Sequence, residues 1–287
     1  MRSLTQRIIN NIFNPLVLYK WWRYQNNRSD DMDFFIVTLP GSGTHWLTLM
    51  IAKTMVEAFN LPDDITSIRN NHLIPSYRSK LQRFKYNDRL EIPRIQHSHA
   101  YYSWFFRKKN VILLVRDLRD TLISHYRTYV ATRDNKCPFS DFLRGVNVNR
   151  PGQKKNHTLL TLIGFLNSWS KGKSNTRLLH LIRFEDLKNN TKTEMEKIFT
   201  LLGFPLKKDL LEIAIQFGSL NNMRKLEAKK PLPQYRGKLK KVGDGQIGGN
   251  RNLFSSDDKE YFQITIKDYL VDNYGYDYFH SSEYSSV

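Results

Sequence analysis

The sequence has little of what builds disulfide frameworks, cysteine-based zinc sites or membrane spans. Its 287 residues include one cysteine, Cys137, which excludes both an internal disulfide and a cysteine zinc site and agrees with a reducing compartment. Acidic residues are also scarce, 27 against 45 Lys and Arg, so the formal net charge is +18. The expected partner is therefore an anion: a nucleic acid, a membrane surface, or a phosphorylated or sulfated small molecule.

The N-terminal run over 8–22 is amphipathic, but Asn, Pro and Lys interrupt it. It is too polar to span a bilayer and lacks a signal-peptide cleavage pattern. We therefore expect a cytoplasmic protein. The basic and aromatic residues from Lys20 to Arg23 are compatible with peripheral contact at a membrane surface, or with packing on the protein's own core.

The pattern of apolar runs predicts an α/β fold. We see no internal repeat and no low-complexity linker, so we expect a helical extension over 1–28 and one domain over 29–287. Predicted strands alternate with predicted helices, which favours three layers: a central, mostly parallel sheet flanked by helices. The strands are predicted at 34–39, 92–96, 111–115 and 177–182. Ligands of such sheets bind at the carboxyl ends of the strands.

A glycine-containing loop follows the first strand, in the order Pro40-Gly41-Ser42-Gly43-Thr44-His45-Trp46. Such a loop directs backbone N–H groups and the positive end of a helix at one point, which favours a phosphate. Ser42 and Thr44 are expected to add hydroxyl donors. An ordinary strand–helix turn is the alternative, and the missing lysine beside Gly43 argues against ATP or GTP hydrolysis.

Two further groups fall at the same edge of the predicted sheet. Arg116 closes the third strand, and Ser124 lies two helical turns on, so the pair could bind a second phosphate. The alternative is an ion pair at the start of the helix. His97 and His99 point to one face if the strand continues, which suits a general base better than a metal site, since no third ligand is evident.

These motifs resemble those of the sulfotransferases that use 3′-phosphoadenosine 5′-phosphosulfate (PAPS). The family loop reads P-K-S-G-T-T-W-L, and residues 40–47 match six of its eight positions. A strand ending in Arg-Asp with a serine eight residues after the arginine matches 115–124. Weaker matches follow in family order at 184–187, at 219–223 and in the basic loop after 236. Together the matches run from about residue 34 to 254.

The resemblance implies a P-loop-like sulfotransferase fold, PAPS as cosubstrate and no metal. The opening loop would bind the phosphosulfate, Trp46 would stack on adenine, and His99, in the place of the family's base, would accept the proton of an attacking hydroxyl or amine. The acceptor would be a small molecule, a lipid or a carbohydrate. The implied cofactor-binding residues are Gly41, Ser42, Gly43, Thr44, His45, Trp46, Arg116, Ser124, Phe184, Leu220, Arg236 and Gly237.

One departure from the family weakens the expected activity. Gly41 stands where the family has a lysine that neutralises the leaving phosphate. Either His45, Lys53 or a residue of 236–251 substitutes, or the protein is a slow or inactive PAPS- or polyanion-binding protein. On this view Gly41→Lys would raise turnover. The candidate phosphate ligands of the basic loop are Lys238, Lys240, Lys241 and Arg251.

Other features of the sequence leave the acceptor undecided. Basic residues in the variable loops, Arg69 among them, either favour an anionic acceptor or form a solvated surface. We find no nucleic-acid recognition motif, so we expect no specific nucleic-acid partner.

Overall fold

The computed structural model describes residues 32–63, 65–69, 72–76, 86, 88–133, 137–146, 158–205, 207–231, 240–243, 245–249 and 251–279. The predicted N-terminal helix over 1–28 and the predicted site residues Arg236 and Gly237 lie outside these ranges.

A sheet of four parallel strands forms the centre of the domain. The strands are β1 (Phe34–Thr38), β2 (Ile95–Ser98), β3 (Asn110–Val115) and β4 (Leu178–Arg183). Their order across the sheet is β2-β1-β3-β4, and every pairing is parallel. Because β1 and β3 are central, their carboxyl ends place the loop after β1 next to Arg116.

Helices cover both faces of the sheet, as the alternating pattern predicts. They are α1 (Thr44–Ala58), α2 (Leu118–Arg133), α3 (Phe139–Arg144), α4 (Leu159–Gly172), α5 (Phe184–Asn189), α6 (Thr191–Leu201), α7 (Lys208–Phe217), α8 (Leu220–Lys229) and α9 (Ser256–Tyr269). Short 3-10 turns lie at Trp104–Phe106, Lys173–Asn175 and Arg251–Leu253.

The core divides into two apolar layers, one on each face of the sheet. Ile36 belongs to the layer beneath α1 and α6–α8, and its neighbours Phe35 and Val37 belong to the layer beneath α2, α4 and α9. This alternation is the period of two that a strand buried on both faces requires. The predicted three-layer α/β architecture is confirmed.

The strand boundaries lie within one residue of the sequence-based ones except in β2. β2 begins at Ile95 rather than near residue 92, so His97 lies inside the strand. Asp117 immediately precedes α2, and its Oδ1 accepts the backbone N–H of Arg119 at 2.8 Å. The carboxylate thus caps the helix. Within the described residues, no helix is long and apolar enough to cross a membrane.

Candidate active site

The loop between β1 and α1 depends on two glycines in the left-handed region. Gly41 has φ +86° and Gly43, the N-cap of α1, has φ +97°. A Cβ atom on Gly43 would lie 2.8 Å from the ring of Phe184. Both the backbone conformation and this close approach therefore require glycine. The loop, as predicted, leads into the N-terminus of α1, which favours an anion there.

The two hydroxyls of the loop are used within the protein. Ser42 is fully buried, and its Oγ donates to the carbonyl oxygens of Leu39 at 2.6 Å and Leu114 at 3.3 Å. The expectation that Ser42 offers a hydroxyl donor to a ligand is not met, because that proton holds the loop to β3. Thr44 Oγ1 lies 2.7 Å from Thr38 Oγ1, so its orientation is set from β1.

The predicted site residues surround one cavity of about 620 Å³ at the carboxyl edge of the sheet. Predicted residues among the described lining are Gly41, Gly43, Thr44, His45, Trp46, His99, Arg116, Ser124, Phe184 and Leu220. Ser42 lies behind this surface rather than on it. Residues from five separate stretches of the chain thus meet at one site.

Arg116 is fixed between the loop, the glycine-rich segment over 245–249 and an aromatic ring. Its Nη1 donates to the Gly41 carbonyl at 3.4 Å and its Nη2 to the Gln246 carbonyl at 3.1 Å. The guanidinium lies 4.4 Å from the ring centre of Phe184 and 3.5 Å from the Asp120 carboxylate. Arg116 therefore forms the ion pair at the helix start and also lines the cavity.

Apolar rings form another part of the wall. Trp46 and Phe184 meet edge to face, with ring centres 5.7 Å apart. Leu220, at the start of α8, is 36% exposed beside them. An aromatic and aliphatic wall of this kind suits a planar base.

His99 is oriented by the end of β1. Its Nδ1 lies 2.9 Å from the carbonyl oxygen of Thr38 and 2.9 Å from the hydroxyl of the same residue. Because a carbonyl only accepts, Nδ1 carries the proton, and Nε2 is the basic nitrogen of the neutral ring. A histidine in this tautomer can act as a general base.

His97 has a different role from His99. Its Nδ1 donates to the carbonyl of Ile74 at 3.0 Å, on the strand-like segment beside β2. Burial lowers the pKa of His97, and nearby Arg69 lowers it further. The two rings are 6.5 Å apart. Among the residues that the structure describes, no group of three His, Cys, Asp or Glu side chains could hold a metal ion.

The candidate residues that could replace the loop lysine differ in their charge and in their contacts. Lys53 is engaged elsewhere: its Nζ lies 2.6 Å from Asp63 and 2.7 Å from Glu57. Burial holds the pKa of His45 well below its usual range, and the positive charge of Lys241 lowers it further. His45 is therefore neutral at pH 7. Lys241 lines the cavity.

Arg251, predicted as a phosphate ligand, is instead part of the buried support of the site. Its Nη2 lies 3.2 Å from Asp117 and its Nε 3.1 Å from Asp120, and it is 6% exposed. Asp120 also accepts the Gly248 backbone N–H at 2.9 Å. Arg251 thus attaches the glycine-rich segment to α2.

Sequence reasoning missed His125 altogether. Its Nε2 donates to the Pro40 carbonyl at 2.7 Å, although 85 positions separate the two residues. The one available signal was its place beside Ser124 on the helix that starts at the site.

Comparison with known proteins agrees with the fold. The sulfotransferase domain family matches residues 31–274. Sulfotransferase 2A6 of Mus musculus is 29% identical over 84% of this chain and 85% of its own length. Sulfotransferase 1E1 of Bos taurus is 27% identical over 67% of this chain and 66% of its own length. The flavonol 3-sulfotransferase of Flaveria bidentis is 22% identical over 80% and 81%.

Solved structures show the same fold. A mouse sulfotransferase, SULT7A1, crystallised with PAP, superimposes with a TM-score of 0.58 at 18% identity, over 86% of this chain and 87% of that one. A retinol dehydratase crystallised with androsterone and the inactive cofactor PAP gives 0.56 at 16% identity, over 84% and 81%. The chain is a member of the sulfotransferase family.

Proposed function

We propose that this protein transfers a sulfuryl group from PAPS to a hydroxyl or amine of a small-molecule, lipid or carbohydrate acceptor. The observation that carries the proposal is the convergence of an anion-binding loop, an arginine, an aromatic wall and an oriented histidine on one cavity. Each of these features would bind one part of the donor or act in one step of the transfer.

The donor has two charged ends and a planar base between them. Backbone N–H groups at the start of α1 suit the phosphosulfate. Arg116 and Ser124 supply a guanidinium and a hydroxyl for the 3′-phosphate. Trp46 and Phe184 supply an apolar wall for adenine. The named solved structures that hold PAP are consistent with this assignment.

The chemistry assigned to His99 follows from its tautomer. With Nδ1–H held by the Thr38 carbonyl, Nε2 accepts the proton of the acceptor as its oxygen or nitrogen attacks sulfur. The acceptor–sulfur bond forms, the sulfur–phosphate oxygen bond breaks, and the electron pair leaves with PAP. Positioning and stabilisation of that leaving phosphate supply most of the rate.

Calorimetry with PAP, followed by a mass-spectrometric acceptor screen, tests the proposal. Wild-type protein should bind PAP, and Arg116→Ala should weaken binding at least tenfold, about 1.4 kcal/mol. Arg107→Ala, which removes an exposed cation away from the described cavity lining, is the matched control and should bind normally. With PAPS and alcohols, phenols, amines and sugars, one acceptor class should gain a sulfuryl group. Wild-type protein that does not bind PAP would refute the proposal.

A binding protein without turnover is the second candidate, and Gly41 favours it. The residue offers no side chain to the leaving phosphate, and its left-handed conformation disfavours one. This candidate requires PAP binding with no sulfated product from any acceptor. Detectable turnover in the same screen eliminates it.

A further inference from the structure

Sulfuryl transfer leaves negative charge on a phosphate, and the loop that would hold this phosphate contains no cation at neutral pH. Gly41 has no side chain, and His45 is neutral for the reasons given above. Arg116 already faces Asp120 and two backbone carbonyls. Stabilisation of the leaving charge therefore calls for a cation from another segment.

The segment over 240–243 is held against α8 by a buried carboxylate. Glu227 is 6% exposed, and its two oxygens accept the backbone N–H groups of Lys241 at 2.5 Å and Val242 at 2.9 Å. Arg224 donates to the Gly243 carbonyl at 3.1 Å, and the Val242 side chain is buried. This bonding fixes the backbone at Lys241. The backbone position of Lys241 is therefore set by hydrogen bonds to side chains of α8.

The fixed backbone directs Lys241 to the cavity. Lys241 lines the cavity together with His45 and His99 and is half-buried, whereas Lys240, which also lines the cavity, is exposed. Its charge acts on His45 more strongly than those of Arg69 and the two neighbouring histidines. The other cations of the described lining beside Arg116, namely Arg127, Lys188 and Lys240, are exposed, and Arg69 is exposed and outside that lining.

We propose that the ammonium of Lys241 binds the phosphosulfate end of the donor and stabilises the charge that develops on the leaving phosphate. This inference rests on the proposed sulfotransferase activity. In this step the acceptor proton goes to His99, and the electron pair of the broken sulfur–oxygen bond stays on the phosphate oxygen. The Glu227 carboxylate acts only as a positioning residue, through the backbone of Lys241.

Steady-state kinetics of Lys241→Met and Lys225→Met test the inference on one lysine inside the cavity and one outside it. Both substitutions keep an unbranched side chain and remove one charge. Lys241→Met should lower kcat by ~10²–10³, the usual cost of one donor to a developing oxyanion. Its PAP affinity should fall much less, because the phosphate charge grows in the transition state. Lys225→Met, which removes an exposed charge on α8 outside the described cavity lining, should leave kcat within about threefold of wild type, since an exposed charge contributes little.

Chemical rescue separates a missing charge from a disturbed fold. In Lys241→Ala, added ethylammonium should restore part of kcat, and the same amine should leave wild type unchanged. Equal kcat for Lys241→Met and wild type would overturn the inference. So would a raised acceptor KM with kcat unchanged, which would make Lys241 an acceptor-binding residue. Failure of the proposed function itself would appear separately, as the absence of turnover and PAP binding in wild type.

Discussion

The imidazole of His125 occupies the space that a side chain at Gly41 would need. A Cβ atom built on Gly41 would lie 3.1 Å from His125 Nε2, the same atom that donates to the Pro40 carbonyl at 2.7 Å. The ring thus supports the loop from α2 and would have to shift by a few tenths of an ångström to admit a side chain at position 41. Glycine at this position is therefore part of the packing around the loop.

Gly41→Lys should lower turnover, although family resemblance alone predicts a gain. A side chain at φ +86° costs about 1–2 kcal/mol in backbone strain, and its Cβ would press on His125. We expect lower stability in urea unfolding and weaker PAP binding. Turnover above wild type would contradict this explanation and would support the view that the native loop only lacks a cation.

Gly203→Ala supplies a control that isolates backbone strain. Gly203 has φ +72°, but nothing lies within 4 Å of a Cβ atom built there. Gly41→Ala should therefore destabilise the protein more than Gly203→Ala in urea unfolding. The excess should shrink when Gly41→Ala is combined with His125→Ala, because the clash is then relieved. Equal losses for the two glycine variants would show that His125 exerts no constraint.

Gly43→Ala should damage PAP binding through Phe184. The new Cβ would lie 2.8 Å from a ring that faces the Arg116 guanidinium at 4.4 Å. Overpacking of this kind costs about 1–3 kcal/mol, so we expect PAP affinity to fall by about tenfold or more. Calorimetry should show normal PAP affinity for Gly203→Ala. Unchanged PAP affinity in Gly43→Ala would show that Phe184 is not part of the cofactor site.

Arg251→Met should strongly destabilise the domain. The change leaves the carboxylates of Asp117 and Asp120 buried without this partner, a situation that costs about 3–5 kcal/mol. Lys197→Met, which breaks a more exposed pair with Glu194, should cost less than about 1 kcal/mol. Urea unfolding measures both. Similar losses for the two variants would mean that Arg251 does not organise the site.

His45 should lower the free energy of unfolding in mild acid. Its pKa is held well below the unfolded value of 6.5, so the unfolded chain binds a proton before the folded protein does. Its effect on stability is absent above pH 6.5 and becomes increasingly unfavourable as the pH falls toward the lowered folded value. Urea unfolding at pH 7.5 and 5.5 should show a smaller acid loss for His45→Gln than for wild type. Equal acid losses would mean that His45 titrates normally.

The parts of the site that follow from local sequence were predictable. The run Phe34–Thr38 and the glycines after it determine a strand, a loop and a helix by their own conformational preferences, and the structure has all three. Arg116 was expected at this edge because it directly follows a strand with a continuous apolar run, and it lines the cavity. Parallel strands then bring their carboxyl ends to one edge without further information.

What the sequence could not supply was the packing between distant segments. His125 reaches Pro40 across 85 positions, and Arg251 reaches Asp120 across 131. The Ser42 hydroxyl turns inward only because the Leu39 and Leu114 carbonyls lie within reach. The division of roles between His97 and His99 likewise depends on which carbonyl each ring meets, and a pattern of residue types does not contain that information.

The rate of product formation from PAPS in His99→Ala, beside His97→Ala, tests the central claim most directly. His99→Ala should lose ~10²–10⁴ in kcat, the usual contribution of a general base, while its PAP affinity stays normal. His97→Ala should keep most of the wild-type rate, because that ring donates to the Ile74 carbonyl and is not among the described residues that line the cavity. A wild-type rate in His99→Ala would contradict the assignment of the base and the mechanism built on it.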